Sequence, residues 1–177
     1  MVIEEHSDLD SQITSLIEAL NDEDGLKRQR ARHGLIHIGY ESVPSLIDVV
    51  QNGKGHTRWE AIEALSRINA PSAVPALMEA LLDEDTGIRW AASNALIAQD
   101  RVTLKPIFEM LMKKRGFGSI RFRQAVHHIL HVLKDRHRLL PKELKVFEAL
   151  EGPEPALEVP WAAKAALENL KPTNKTR

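Results

Sequence analysis

The feature that most restricts how this chain folds is an internal repeat. Short apolar helices recur as SLIEAL (15–20), SLIDVV (45–50), ALMEAL (76–81) and PIFEML (106–111), about one every 30 residues. A second helix follows each of them. Aligned on a small residue, these read RQRARHGL (28–35), RWEAIEAL (58–65), RWAASNAL (89–96), FRQAVHHI (122–129) and PWAAKAAL (160–167). The last copy has drifted, but it keeps the Trp-x-Ala-x-x-Ala-Leu spacing of the third.

Each segment carries its apolar residues on a single stripe, such as Ala61, Ala64, Leu65 and Ile68, which is the spacing of a helix rather than a strand. A single stripe has to be buried on neighbouring elements, and hairpins that recur at a fixed period bury it by stacking. The expected fold is therefore all-α, an α-α superhelix (α-solenoid) of four to five helical hairpins. Pro44, Pro75 and Pro106 fall where first helices begin, a position with no donor to lose. Turns are read at Asn21–Gly25, Asn52–Gly55, Asp83–Asp85 and Lys113–Gly116. Four repeats are expected over 11–134, and a degenerate fifth repeat with a C-terminal cap over 135–170. Residues 1–10 and 171–177 are expected to be mobile tails. Pro153, Pro155 and Pro160 are expected to break helix, leaving a last helix from Pro160 to Leu170.

These residues resemble a known family. LLDEDTGIRWAASNALIA beside a Val-Pro-x-Leu helix, with Pro71-Ser72-Ala73-Val74-Pro75 as linker, is similar to the HEAT-like repeat of the phycobilisome-lyase type. The likeness spans 12–134 and continues in drifted form to 170. It implies a HEAT-like solenoid whose second helices line a concave side. It also implies a turn aspartate (Asp24, Asp85) meeting a helix arginine (Arg28, Arg58, Arg89). The second and fourth turns depart from that pattern, with Gly53/Lys54 and Lys114/Arg115 in its place. Proteins with such repeats include scaffolds, lyase subunits and regulators, so fold follows from the likeness more readily than function.

Composition closes several chemical routes. The chain has 177 residues and no cysteine, so disulfides, thiolate metal sites and thiol nucleophiles are excluded. No Gly-x-Ser-x-Gly or phosphate-binding glycine loop occurs. No histidine precedes a glutamate, which removes the repeated His-Glu pairs of di-iron HEAT-repeat hydroxylases. The N-terminal segment lacks the order of a secretion signal and no apolar run approaches a membrane span, so a cytoplasmic chain with no membrane partner is expected. Charge is unevenly spread: residues 1–25 hold eight acidic and no basic side chains, whereas 101–145 hold twelve basic and three acidic. That polarity favours an anionic partner or head-to-tail association.

Turning 100° per residue from the small residue of each second helix picks out the positions that face away from the core. One ladder reads Gln29, Trp59, Trp90, Arg123, Trp161; the next His33, Glu63, Asn94, His127, Ala165; a third His37, Arg67, Ala98, His131, Asn169. Arg30, Glu60, Ala91 and Gln124 flank them. Core positions would be apolar, and these are mixed. The candidate partner-binding residues are therefore Trp59, Trp90, His33, His37, Glu60, Glu63, Arg67, Asn94, Arg123, His127 and His131. Tryptophan at such a position either anchors a partner or packs across the seam between repeats, and both readings stand at this point.

The expected function is a non-catalytic scaffold or adaptor that takes a protein or peptide partner on its second-helix face. The resemblance adds an alternative, a subunit handling a tetrapyrrole (bilin) chromophore. Nucleic-acid binding is a further alternative, through Lys113, Lys114, Arg115, Arg121 and Arg123 with Trp90 or Phe122 for stacking. No cofactor and no catalytic set are expected. His33, His37 and Glu63 share the ligand types of a two-histidine, one-carboxylate metal site, and His127, His128 and His131 form a second histidine cluster without a carboxylate on the neighbouring ladders.

Overall fold

The computed structural model describes residues 2–170, apart from the side chains of residues 2–7 and 114. Eleven α-helices run through the described residues, with no strand among them: α1 (Val2–Ala19), α2 (Gly25–Ile38), α3 (Val43–Asn52), α4 (Gly55–Ile68), α5 (Val74–Ala80), α6 (Thr86–Ala98), α7 (Leu104–Leu111), α8 (Lys114–Phe117), α9 (Ile120–Asp135), α10 (Pro141–Glu151) and α11 (Pro155–Leu170). This is the all-α, HEAT-like solenoid class. Short 3-10 turns at Gly39–Ser42, Pro71–Ala73 and Asp100–Thr103 lead into α3, α5 and α7. Pro44 and Pro75 occupy the first turn of α3 and α5, where a missing N–H costs nothing. No described helix is long and apolar enough to cross a membrane.

The chain divides into two compact units, Met1–Gln99 and Asp100–Arg177. The first holds three hairpins in two layers: α1, α3 and α5 pack on one another in sequence, and so do α2, α4 and α6. Of the stripe expected on α4, Ala61, Ala64 and Leu65 are buried and Ile68 is half-buried, while Ile62, outside that stripe, joins the core. Leu20, Leu35, Leu46, Ile62, Leu65, Leu77, Leu81 and Leu96 are fully buried, with Ala61, Ala64, Ala92 and Ala95 filling the close approaches. Helix α1 starts well before Ser15, and of the segments expected to be tails, Met1 and residues 171–177 lie outside the described residues.

Two of the three turns in this unit are the same device built twice. Asp22 Oδ1 accepts from the Asp24 N–H (2.9 Å), Asp24 Oδ1 caps α2 by accepting from Leu26 N–H (2.8 Å), and Arg28 Nη1 donates to the carbonyls of Asp22 and Glu23 (2.8 and 2.9 Å). One repeat on, Asp83 accepts from Asp85 N–H (2.9 Å), Asp85 caps α6 through Gly87 N–H (2.7 Å), and Arg89 holds the carbonyls of Asp83 and Glu84 (2.8 and 2.9 Å). The expected aspartate-to-arginine pair within a turn is thus corrected. Each carboxylate is occupied by backbone N–H groups at the helix start, and the arginine closes the turn through its carbonyls.

The middle turn, Asn52-Gly53-Lys54-Gly55, is built differently. A Cβ on Gly53 would lie 2.5 Å from the Val49 carbonyl oxygen, and Gly55 sits at φ +50, so both positions call for glycine. Without a turn aspartate, Arg58 donates from Nε to the Val50 carbonyl (2.9 Å) and reaches the carboxylate of Asp83 in the next repeat (2.7 Å).

In the second unit, α7 leads through the single turn α8, which touches both neighbours, into α9, and the buried faces of α7 and α9 carry Ile107, Phe108, Leu111, Phe122, Val126, Ile129 and Leu133. Helices α10 and α11 pair closely, but α10 packs on α9 and α11 packs on α7. That reverses the layering of the first unit. The alignment of PWAAKAAL with the second helices is correct as a helical pattern and wrong as a layer: α11 lies against a first helix, so Trp161, Ala165 and Asn169 do not extend the ladders. A further correction concerns Pro160, which lies inside α11. Pro155 starts that helix, Glu154 O accepts from Leu157 N–H and Glu158 N–H (3.0 and 3.1 Å), and Pro160, in the second turn, has no N–H to give the Ala156 carbonyl.

Two ion pairs anchor this arrangement. Glu143 is fully buried and meets both Nη atoms of Arg101 at 2.7 Å, while also accepting from Leu140 N–H at 2.7 Å. Asp100 takes a forked contact from Arg138. Together they clasp the 3-10 turn before α7 to the start of α10. The Arg138 hydrogen bonds hold the Asp100 carboxyl below the usual aspartate range and raise the guanidinium in turn.

Candidate partner-binding face

Helices α2, α4 and α6 of the first unit leave one strip of surface unpacked, and its residues are those of the ladders. Within α6, Ile88, Ala91, Ala92, Ser93, Ala95, Leu96 and Ile97 are buried, so beyond exposed Thr86 and Gly87 and half-buried Arg89 at its start the strip narrows to Trp90, Ala98 and the half-buried Asn94. Helix α4 repeats the geometry with Trp59, Glu63 and Arg67, and α2 with Gln29, His33 and His37. Residues four apart rise about 6 Å along a helix and neighbouring helices sit about 8–10 Å apart, so the nine positions form a three-by-three grid.

The two tryptophans of this grid behave differently. Trp90 is 58% exposed. Trp59 is half-buried, and the guanidinium of Arg32 stands 5.6 Å from the centre of its ring. Beside it lies a cleft of about 270 Å³ lined by Arg32, His33, Ile36, Glu63 and Arg67.

Glu60 is placed elsewhere. It is 5% exposed and pairs with Arg32 Nη1 at 2.5 Å and Arg28 Nε at 3.5 Å. Two arginines of α2 therefore close on one carboxylate of α4, and Glu60 is a seam residue holding those helices together. Ala91, at the same position of α6, is fully buried in the next seam. Arg30, the corresponding residue of α2, is exposed.

The second unit treats its candidates otherwise. Arg123 is half-buried, donates to the Phe117 carbonyl and lies 5.0 Å from the centre of the Phe117 ring. His127 stacks on Phe147 of α10 with ring centres 5.1 Å apart, and its Nε2 lies 3.1 Å from Glu151 Oε1. His131 meets the same ring edge-on at 5.9 Å and pairs with Asp135 at 3.2 Å. Lys134 completes the group, its Nζ 4.4 Å from the Phe147 ring centre. Phe147 and Glu151 were not visible among the ladder positions because α10 reaches this face only through the reversed layering.

No metal centre assembles from these side chains. No three His, Asp or Glu residues among the described ones are placed to share an ion, His33, His37 and Glu63 included.

Comparison with known proteins agrees with the geometry. Residues 13–97 match the family described as HEAT repeats. No curated protein matches the chain. Among solved structures, a chain in the complex of CpcE and CpcF of phycocyanin lyase from Nostoc sp. PCC7120 is similar at 18% identity and a TM-score of 0.55, over 92% of this chain and 99% of that one. The repeat match, the two-layer stacking of the first three hairpins and the shared fold lead to one conclusion: residues 13–97 are HEAT repeats, and the chain has the all-α, HEAT-like fold seen in the phycocyanin lyase complex.

Proposed function

We propose that the protein is a non-catalytic scaffold or adaptor that takes a protein or peptide partner on the second-helix face of its first unit. The observation that carries this reading is Trp90, whose ring is 58% exposed on a helix that is buried on its other sides. A large rigid ring left in water at that position does nothing for the core, and it is the residue type that most often dominates a binding interface. Asn94 and Ala98 follow it along α6, Trp59 holds the same position of α4, and Glu63, Arg67, His33 and His37 supply polar groups on the same face. The test is affinity capture with wild type and Trp90→Ala at equal folded concentration. Capture of a specific partner by wild type and its loss in the variant is the expected result; equal capture by both removes this face from the function.

A second reading follows from the shared fold, since that solved complex is a phycocyanin lyase. In it the chain is a lyase or chaperone-like subunit for a tetrapyrrole, with tryptophan and histidine side chains against the pigment. Titration with a bilin or haem distinguishes the two: a shifted visible spectrum, lost in Trp90→Ala, favours the pigment reading.

A further inference from the structure

The grid of the first unit is graded in chemistry from one side to the other, and the grading describes a ligand. Its α6 column presents the exposed Trp90, the half-buried Asn94 and the exposed Ala98, none of them charged. Its α2 and α4 columns frame the cleft lined by Arg32, His33, Ile36, Glu63 and Arg67. Buried Glu60 is matched by two arginines, Arg28 and Arg32, so the seam under the cleft carries one positive charge in excess. Arg67 is exposed, and His33 and His37 stand on the facing helix. Glu63 is the one carboxylate among the cleft-lining residues. The cleft thus favours an anion, with Glu63 opposing it.

We infer that this face recognises a peptide segment bearing a bulky apolar side chain that packs on the exposed indole of Trp90 and a carboxylate for the cleft between His33 and Arg67. The inference rests on the binding face proposed above and adds the chemistry of its occupant. The two subsites lie on α6 and on the α2–α4 side, one to two helix spacings apart, about 10–20 Å, which an extended segment of three to six residues spans. Carboxylate and apolar residue are therefore separated by several positions in the partner. The polar contacts orient the segment while the indole supplies most of the affinity, the usual division in such interfaces.

Selection of random-sequence peptides displayed on phage, against the full chain, reads this directly. Enriched peptides are expected to share an acidic residue and a large apolar one several positions apart. A synthetic peptide of that sequence should bind about tenfold more weakly to Arg67→Glu and more tightly to Glu63→Gln, and its affinity should fall with added salt. Both substitutions lie on the surface away from the core. Peptides that lack a carboxylate, or that bind Arg67→Glu as well as wild type, overturn the inference; if their binding is still lost in Trp90→Ala, the binding face itself survives. Peptides indifferent to both substitutions, or no enrichment at all, overturn the inference and the binding face together.

Discussion

At the scale of single residues, exposure separates side chains that the ladder pattern treats as equivalent. Trp59 and Trp90 occupy the same repeat position, yet one lies under an arginine and the other stands in water. Trp90→Ala should leave the unfolding free energy within about 0.5 kcal/mol of wild type, as surface substitutions do. Trp59→Ala should cost about 1 kcal/mol through lost packing and the lost cation–π contact. Chemical denaturation of the two variants side by side checks the difference. Glu60 makes a sharper case. Glu60→Gln keeps its shape but leaves Arg28 and Arg32, one turn apart on α2, without the carboxylate they share across a half-buried seam, so a loss of about 2–3 kcal/mol is expected in the same measurement. The sequence placed Glu60 beside the binding ladder because the positions of Glu60 and Arg67 differ by only about 20° around the helix. What separates them is their height along α4. The arginines of α2 reach Glu60, whereas Arg67 lies two turns on, at the rim of the cleft.

At the scale of elements, hairpin spacing was legible because burial imposes a helical period on every segment. Which layer a helix joins was not, because a stripe records that a helix is buried and not against what. α11 shows this: its Trp-x-Ala-x-x-Ala-Leu run is a sound amphipathic helix that packs on α7. The turns were legible as positions, but their bonding was not, since aspartate serves equally as a helix cap and as an arginine partner. The paired turn device predicts paired effects: Asp24→Ala and Asp85→Ala should each cost about 1 kcal/mol, the usual loss for a helix cap, and by similar amounts. Thermal denaturation of the two variants tests it. The clasp between Asp100 and Arg138 predicts a pH dependence. Asp100 is held below the ordinary aspartate value, so its stabilisation is complete above about pH 4 and is lost as the pH falls towards its folded-state value, where the unfolded chain already holds the proton. Asp100→Asn should therefore lower stability at neutral pH and show a shallower decline below about pH 4 than wild type, read from unfolding midpoints across that range.

At the scale of the whole molecule, charge divides along the same boundary as the fold. Residues 1–99 hold 8 basic and 16 acidic side chains, and residues 100–177 hold 16 basic and 9 acidic, so units of opposite sign sit behind a net charge of -1. Charge polarity of this kind draws copies together when it is unscreened. The apparent mass in sedimentation or light scattering should rise with protein concentration at low ionic strength and return towards the monomer at about 0.15 M salt, where the screening length is about 8 Å.

The seams between helices of the first unit also bear on how such an array can grow. The α2–α4 seam is closed by Glu60 with Arg28 and Arg32, and the second hairpin reaches the third through Arg58 and Asp83. Ile62 of α4 and Ala91 of α6 are both fully buried without any charged partner. Copying the second hairpin in tandem would set a new Glu60 beside a helix that has Arg58 in the place of Arg28 but Ile62 in the place of Arg32, and the buried carboxylate would lose the arginine that now makes its shorter contact. The hairpins are therefore not interchangeable bricks: each ion pair acts as an address naming the neighbour it accepts, and the array can lengthen by simple duplication only where the joint is apolar.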